Sequence, residues 1–112
     1  MRIKQENIDG VCVLRIEDAR IDSSVASELK TELLRLVENE AVVSILIDLK
    51  DVEYVDSSGL GALLFGHRHV KANSGDLKLL HPNQKVQTLI RIANLEEILE
   101  GFDDEERALK SF

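Results

Sequence analysis

Tryptophan is absent from this chain, and only three Phe and one Tyr stand among its 112 residues. The aromatic platforms on which proteins stack the bases of single-stranded nucleic acids are therefore poorly supplied. Clustered positive charge is missing as well. The formal net charge is −7 with no segregated basic patch, so a phosphate backbone is repelled and adsorption to anionic lipid is opposed. No apolar run approaches the roughly 20 residues that span a bilayer, and the opening "MRIKQENIDG" lacks the apolar core of a secretory signal. These absences predict a soluble, cytoplasmic protein whose partners include neither nucleic acid nor an inserted membrane. One cysteine, Cys12, excludes an intramolecular disulfide and a CxxC metal site. Within "VCVLRI" it reads as a buried, inert thiol.

What the chain does contain is aliphatic. Val, Ile and Leu dominate a hydrophobic content of 44%, and the length suits one domain with one core, residues 1–112. "IKQENIDGVCVLRI" predicts a hairpin turning at Asp9-Gly10, followed by a short extended piece at Arg20-Ile21. In "IDSSVASELKTELLRLVEN", Ser23 or Ser24 is placed to cap a helix that carries Val25, Leu29, Leu33, Leu36 and Val37 on one face. "VVSILIDLKDV" is the most apolar run and predicts a central strand covered on both faces. A helix begins at "DSSGLG" and runs to Asn73, where "NSGD" stops it. "LKLLH" predicts the next strand, and "PNQKVQTLIRIANL" a helix with Val86, Leu89, Ile90 and Ala93 on one side. The tail "DDEERALKSF" has the acidic first turn of a further helix and a weak stripe of Ala108, Leu109 and Phe112. Strands alternating with helices imply an α/β fold, its later strands parallel and its opening hairpin making the sheet mixed.

The stretch "YVDSSGLGALLFG", residues 54–66, combines conflicting signals. Leu60, Leu63 and Leu64 read as a helix stripe, yet Gly59 and Gly61 occupy the first turns, where each glycine costs about 0.8–1.0 kcal/mol relative to alanine. Asp56 or Ser57 as a cap explains the helix start but not the glycines. Small residues flanking a serine at a strand-to-helix junction point to a docking surface with a hydroxyl at its centre. A plain cap stays open as the alternative at this point.

Catalytic readings fare poorly. The nucleophile elbow G-x-S-x-G is not met, since Asp56 and Leu60 flank Ser58 two residues either side. His67 and His69, two apart on a helix, point to different sides, and His81 ends a strand. All three read as surface or half-buried histidines rather than as a triad or metal site. No P-loop is present. Asp48 and Asp51 bracket a strand end and read as solvated, and "EGFDDEE" lacks the ligand alternation of an EF-hand. Asp22 and Asp56 each precede two serines, in "IDSS" and "VDSS", which raises the expectation that they meet at one sheet edge.

These residues resemble the STAS domains, and among them the bacterial anti-sigma-factor antagonists. The resemblance runs from "VCVLRI" through "IDSSVASELKTELLRLVEN" to "ILIDLKDVEYVDSSGLGALLFGHRHVKANSGDLKLLHPNQKVQTLIRIANLEEILE", and is most specific in "IDLKDVEYVDSSGLGALL". It implies a STAS-like mixed β-sheet with about four helices packed mainly on one side. It further implies that Ser57, the first serine after the aspartate, is phosphorylated by an anti-sigma factor that is a serine kinase. The unphosphorylated protein binds that kinase, and a metal-dependent serine phosphatase resets it. Asp22, Asp56, Ser58, Gly59, Leu60 and Gly61 then shape the docking surface of a monomeric, non-enzymatic protein without cofactor or metal. Many relatives carry a glycine before the Leu-Asp pair where this chain has "EDARID", a departure that bears on the local loop and on partner identity. The alternatives are a STAS subunit of a lipid-transport complex or a secretion regulator, a serine hydrolase, and a purely structural domain.

Overall fold

The computed structural model describes residues 1–112. Strands β1 (Ile3–Ile8) and β2 (Val11–Ile16) form an antiparallel hairpin, with Ile8 opposite Val11. Its two-residue turn, Asp9-Gly10, has both φ values positive, 53° and 80°, the geometry whose twist matches paired strands and which Asp-Gly adopts readily. Strand β3 (Arg20–Ile21) leads through a turn to helix α1 (Ala26–Asn39), and strand β4 (Ser44–Asp48) follows. Strand β5 (Tyr54–Val55) feeds directly into helix α2 (Ser57–Ala72). Strand β6 (Asp76–Leu80), helix α3 (Gln84–Ile92), strand β7 (Gly101–Phe102) and helix α4 (Glu105–Lys110) complete the chain.

The main sheet has the order β1-β2-β4-β6-β7, antiparallel only in the opening pair and parallel thereafter. The most apolar segment, β4, lies at its centre, as a strand buried on both faces must. Alternation along the strands divides their side chains between two cores. Cys12, Leu14, Ile45, Ile47, Leu77 and Leu79 face a large core closed by α1, α2 and α3 through residues such as Leu29, Leu33, Leu63, Val86 and Ile90. Val11, Val13, Leu46 and Leu80 face the other way and are covered by Ala108, Leu109, Phe102 and Phe112. Three helices thus take one face, and the short α4 seals the other. Burial pushes the Cys12 thiol upward in pKa, as expected for an unreactive core cysteine.

Several expectations are corrected. Helix α1 begins at Ala26, and no side chain caps it. Ser23 and Ser24 lie in the preceding turn, where the Asp22 carbonyl accepts from the Val25 and Ala26 N–H groups. Asp48 is not solvated. It is 3% exposed, and its Oδ2 accepts from Arg15 Nη1 at 2.9 Å while its Oδ1 accepts from the Lys50 N–H at 3.0 Å. His67 is buried rather than half-exposed, its Nδ1 3.4 Å from the Leu77 carbonyl. Ala93 is the exposed C-cap of α3 rather than part of its buried face. No helix is long and apolar enough to cross a membrane.

Candidate functional site

Strands β3 and β5 form a separate two-stranded parallel sheet, with Arg20 opposite Tyr54 and Ile21 opposite Val55. Their apolar residues, Ile21 and Val55, are buried in the large core. That burial sets the register, and the register carries Asp22 and Asp56 out of the sheet as neighbours, which is the meeting their sequence contexts raised. Further bonds hold the pair in place: the Ala19 carbonyl accepts from Glu53 and Tyr54, and the Ile21 carbonyl accepts from Asp56. Asn83, the cap of α3, donates from its side-chain amide to the Glu53 carbonyl at 3.1 Å. The loop before α2 is therefore anchored from both sides.

Asp56 is the N-cap of α2, its Oδ1 accepting from the Gly59 N–H at 2.8 Å. Its other oxygen accepts from the Ser23 N–H at 3.3 Å, so one carboxylate ties both loops together. Asp22 Oδ1 accepts from the Ser24 N–H at 3.0 Å and from the Ser24 hydroxyl at 2.5 Å, while Oδ2 accepts from Arg20 Nε at 3.3 Å. These bonds to Ser24, then to Arg20, hold the Asp22 carboxyl below the usual carboxylate range.

With Asp56 as the cap, Ser57 is the first residue of α2. Ser57 and Ser58 are both exposed. Together with Ser23, Ala26, Ser27, Lys30 and Gly61 they line a shallow concavity of about 440 Å³ between the starts of α1 and α2. The walls are hydroxyls and small side chains with a single cation, and neither histidine nor cysteine is among them. A shallow, open surface lies beside a serine that no histidine addresses. Such a surface admits a protein partner or an enzyme's cleft.

The two glycines have different causes. A Cβ on Gly59 would fall 2.1 Å from the Ile21 carbonyl oxygen, so this glycine exists because α2 starts against the backbone of β3. A Cβ on Gly61 would meet nothing within 4 Å. Gly61 keeps the concavity open, whereas Gly59 is internal. Leu60 is likewise internal, 6% exposed within the large core. Of the residues expected at a docking surface, Ser57, Ser58 and Gly61 line it, Asp22 and Asp56 brace it, and Gly59 and Leu60 lie beneath it as packing.

Sequence reasoning missed Ala26, Ser27 and Lys30 at the concavity and the pairing of Arg20 with Tyr54. Lys30 and Ser27 on α1 reach the concavity only because α1 packs beside α2. On the small sheet Arg20 stacks on Tyr54, its Cζ 4.4 Å from the ring centroid, and leaves Tyr54 40% exposed. The signal for that pair was the matched spacing of "RIDSS" and "YVDSS", which places the first residues of each opposite one another.

Residues 2–108 match the STAS domain, and the chain belongs to that family. Among curated relatives it is 24% identical over 109 residues to an anti-sigma F factor antagonist of Paenibacillus polymyxa, covering 97% of this chain and 92% of that protein. It is 36% identical over 80 residues to the anti-sigma-B factor antagonist of Bacillus subtilis, covering 71% of this chain and 72% of the relative. The fold agrees with the crystal structure of a putative anti-sigma factor antagonist from Thermotoga maritima, with a TM-score of 0.85 at 23% identity, covering 97% of this chain and 92% of that one. It agrees also with the Bacillus cell fate determinant SpoIIAA in its phosphorylated form, with a TM-score of 0.76 at 20% identity, covering 99% of this chain and all of that one.

Proposed function

We propose that this protein is an anti-sigma-factor antagonist that works as a non-enzymatic phospho-switch with Ser57 as its acceptor. Unphosphorylated, it docks an anti-sigma serine kinase through the concavity at the starts of α1 and α2. Phosphorylation of Ser57 by that kinase releases it, and a metal-dependent serine phosphatase returns it to the binding state in the cytoplasm. The observation that carries this reading is the exposed Ser57 hydroxyl at the first position of a sixteen-residue helix, beside an open concavity of small residues.

The chemistry favours a switch of surface over a switch of fold. Phosphate adds about −1.5 to −2 charge at neutral pH, and the positive end of the α2 dipole tolerates an anion there. The concavity changes from a nearly neutral hydroxyl surface to one holding a bulky anion that must be desolvated for docking. The cycle also needs no activated nucleophile in this chain.

The reading is tested with ATP and the cognate kinase. Wild type and Ser58→Ala are expected to accept phosphate on Ser57, and Ser57→Ala to accept none at that position. Phosphate on Ser58 in place of Ser57 moves the acceptor by one residue and contradicts the assignment. No phosphate on any serine at this surface contradicts the switch itself.

A further inference from the structure

The segments Arg20-Ile21-Asp22-Ser23-Ser24 and Tyr54-Val55-Asp56-Ser57-Ser58 are matched pieces of chain. β3 and β5 pair in parallel at Arg20–Tyr54 and Ile21–Val55, so the two Asp-Ser-Ser runs leave the small sheet at one edge and in one register. Each runs on to a helix packed on the same face of the main sheet. The Asp56 carboxylate, which caps α2 through Gly59, also accepts the Ser23 N–H at 3.3 Å and so joins the two segments.

Within the first segment the serines are not equivalent. The Ser24 hydroxyl donates to Asp22 at 2.5 Å and closes the turn. Ser23 is engaged through its backbone only; its side chain is exposed and lines the same concavity as Ser57 and Ser58. Turn formation accounts for Asp22 and Ser24 and leaves the Ser23 hydroxyl without a structural task. A kinase cleft that comes over Ser57 from solvent meets Ser23 on the same rim.

We propose that Ser23 is a second phosphoacceptor of the same kinase, giving the switch three states rather than two; this rests on the Ser57 reading above. At either serine the γ-phosphoryl group of ATP passes to the hydroxyl oxygen. The new O–P bond forms as the bridge bond between the β and γ phosphates breaks, ADP leaves, and the hydroxyl proton goes to a base of the kinase. Ser57 is modified first, because it begins a helix whose dipole favours the anion, whereas Ser23 is followed by a turn before α1 begins. The second addition is slower. Two groups of about −1.5 to −2 charge each then share a concavity whose only cationic lining residue is Lys30. The doubly modified protein must lose both phosphates before it docks again, so the second phosphate prolongs the released state.

The test uses purified full-length wild type, Ser23→Ala, Ser24→Ala, Ser57→Ala and the Ser23→Ala/Ser57→Ala double variant. Each is checked for an unchanged melting temperature, incubated with Mg·ATP and the kinase fraction of the source cell, and followed by intact mass and phosphopeptide mapping. Wild type and Ser24→Ala are expected to gain one phosphate and then, severalfold more slowly, a second on Ser23. Each single Ser23 or Ser57 variant should stop at one, and the double variant at none. Wild type that stops at a single phosphate on Ser57 overturns this inference and leaves the Ser57 switch standing. A second phosphate on Ser24 or Ser58 also overturns it. No phosphate on any serine overturns both.

Discussion

Gly59 and Gly61 differ by two positions in sequence, yet their substitution should have opposite effects. A methyl group on Gly59 collides with the Ile21 carbonyl, a backbone atom that cannot rotate away. Gly59→Ala is therefore expected to cost about 3 kcal/mol, the upper end of overpacking losses. The melting temperature should fall by more than about 10 °C for a domain of this size. Gly61→Ala places its methyl in open space and gains helix propensity of about 0.8–1.0 kcal/mol, so it should melt higher than wild type. Because that methyl protrudes into the concavity, the same variant should bind the kinase more weakly. A Gly61→Ala protein that is both more stable and a full-strength binder would remove Gly61 from the docking surface. Asp22 supplies a pH test with a definite sign. Its folded-state pKa is lowered by its bonds to Ser24 and Arg20, so its contribution is present above its ordinary value of 3.8 and is lost as pH falls through the lower, folded value. Melting curves between pH 7 and pH 3 should show a smaller acid-side loss in Asp22→Asn than in wild type, and an identical loss would contradict this.

At the level of elements, α4 is the piece held most by polar contacts. Arg15 on β2 reaches Asp48 on β4 at 2.9 Å, Glu6 on β1 at 3.0 Å and Glu105 at the start of α4 at 2.6 Å. At the far end Lys78, 6% exposed, donates to the Ser111 carbonyl at 2.8 Å and to its hydroxyl at 2.9 Å, with its Nζ 5.0 Å from the Phe112 ring centroid. Arg15→Ala removes one anchor and leaves the buried Asp48 carboxylate unpaired, a change that costs about 3–5 kcal/mol. Hydrogen exchange should then rise by more in α4 than in α1 and α2. Uniform loss of protection would mean that α4 is not a separately anchored element. The hairpin, β3, β4, β6 and all four helices were legible in the sequence, the longer ones through their periods and the others through their flanking signals. The two-residue strands β5 and β7 have no period to read, and β7 exists only because β6 offers it an edge. The start of α1 was misplaced because Asp22 and Ser24 satisfy one another, so the serine that looked like a helix cap belongs to the turn before it.

For the molecule as a whole, the helix start at the serine pair was legible in the sequence, but the surface around it was not. "YVDSSGLG" left the cap open between Asp56 and Ser57, which the structure assigns to Asp56, and only the family resemblance singled out Ser57. The concavity needs α1 to be laid beside α2, and that juxtaposition follows from burial in the large core rather than from any local pattern. It brings Lys30, Ser27 and Ser23 to residues more than two dozen positions away. Because Ser57 is exposed while Leu60 and Leu63 of the same helix are buried in the large core, a charged group added at Ser57 is expected to leave the chain folded. Ser57→Asp should accordingly keep a melting temperature near that of wild type. The most direct test of the switch is the affinity of the purified kinase for this protein made with phosphoserine at position 57, measured beside the unmodified protein. The expected result is binding at least tenfold weaker, about 1.4 kcal/mol, with melting temperature and backbone amide spectrum away from the α2 start unchanged. Equal affinity of the two forms, or loss of binding that comes only with loss of the fold, would contradict it.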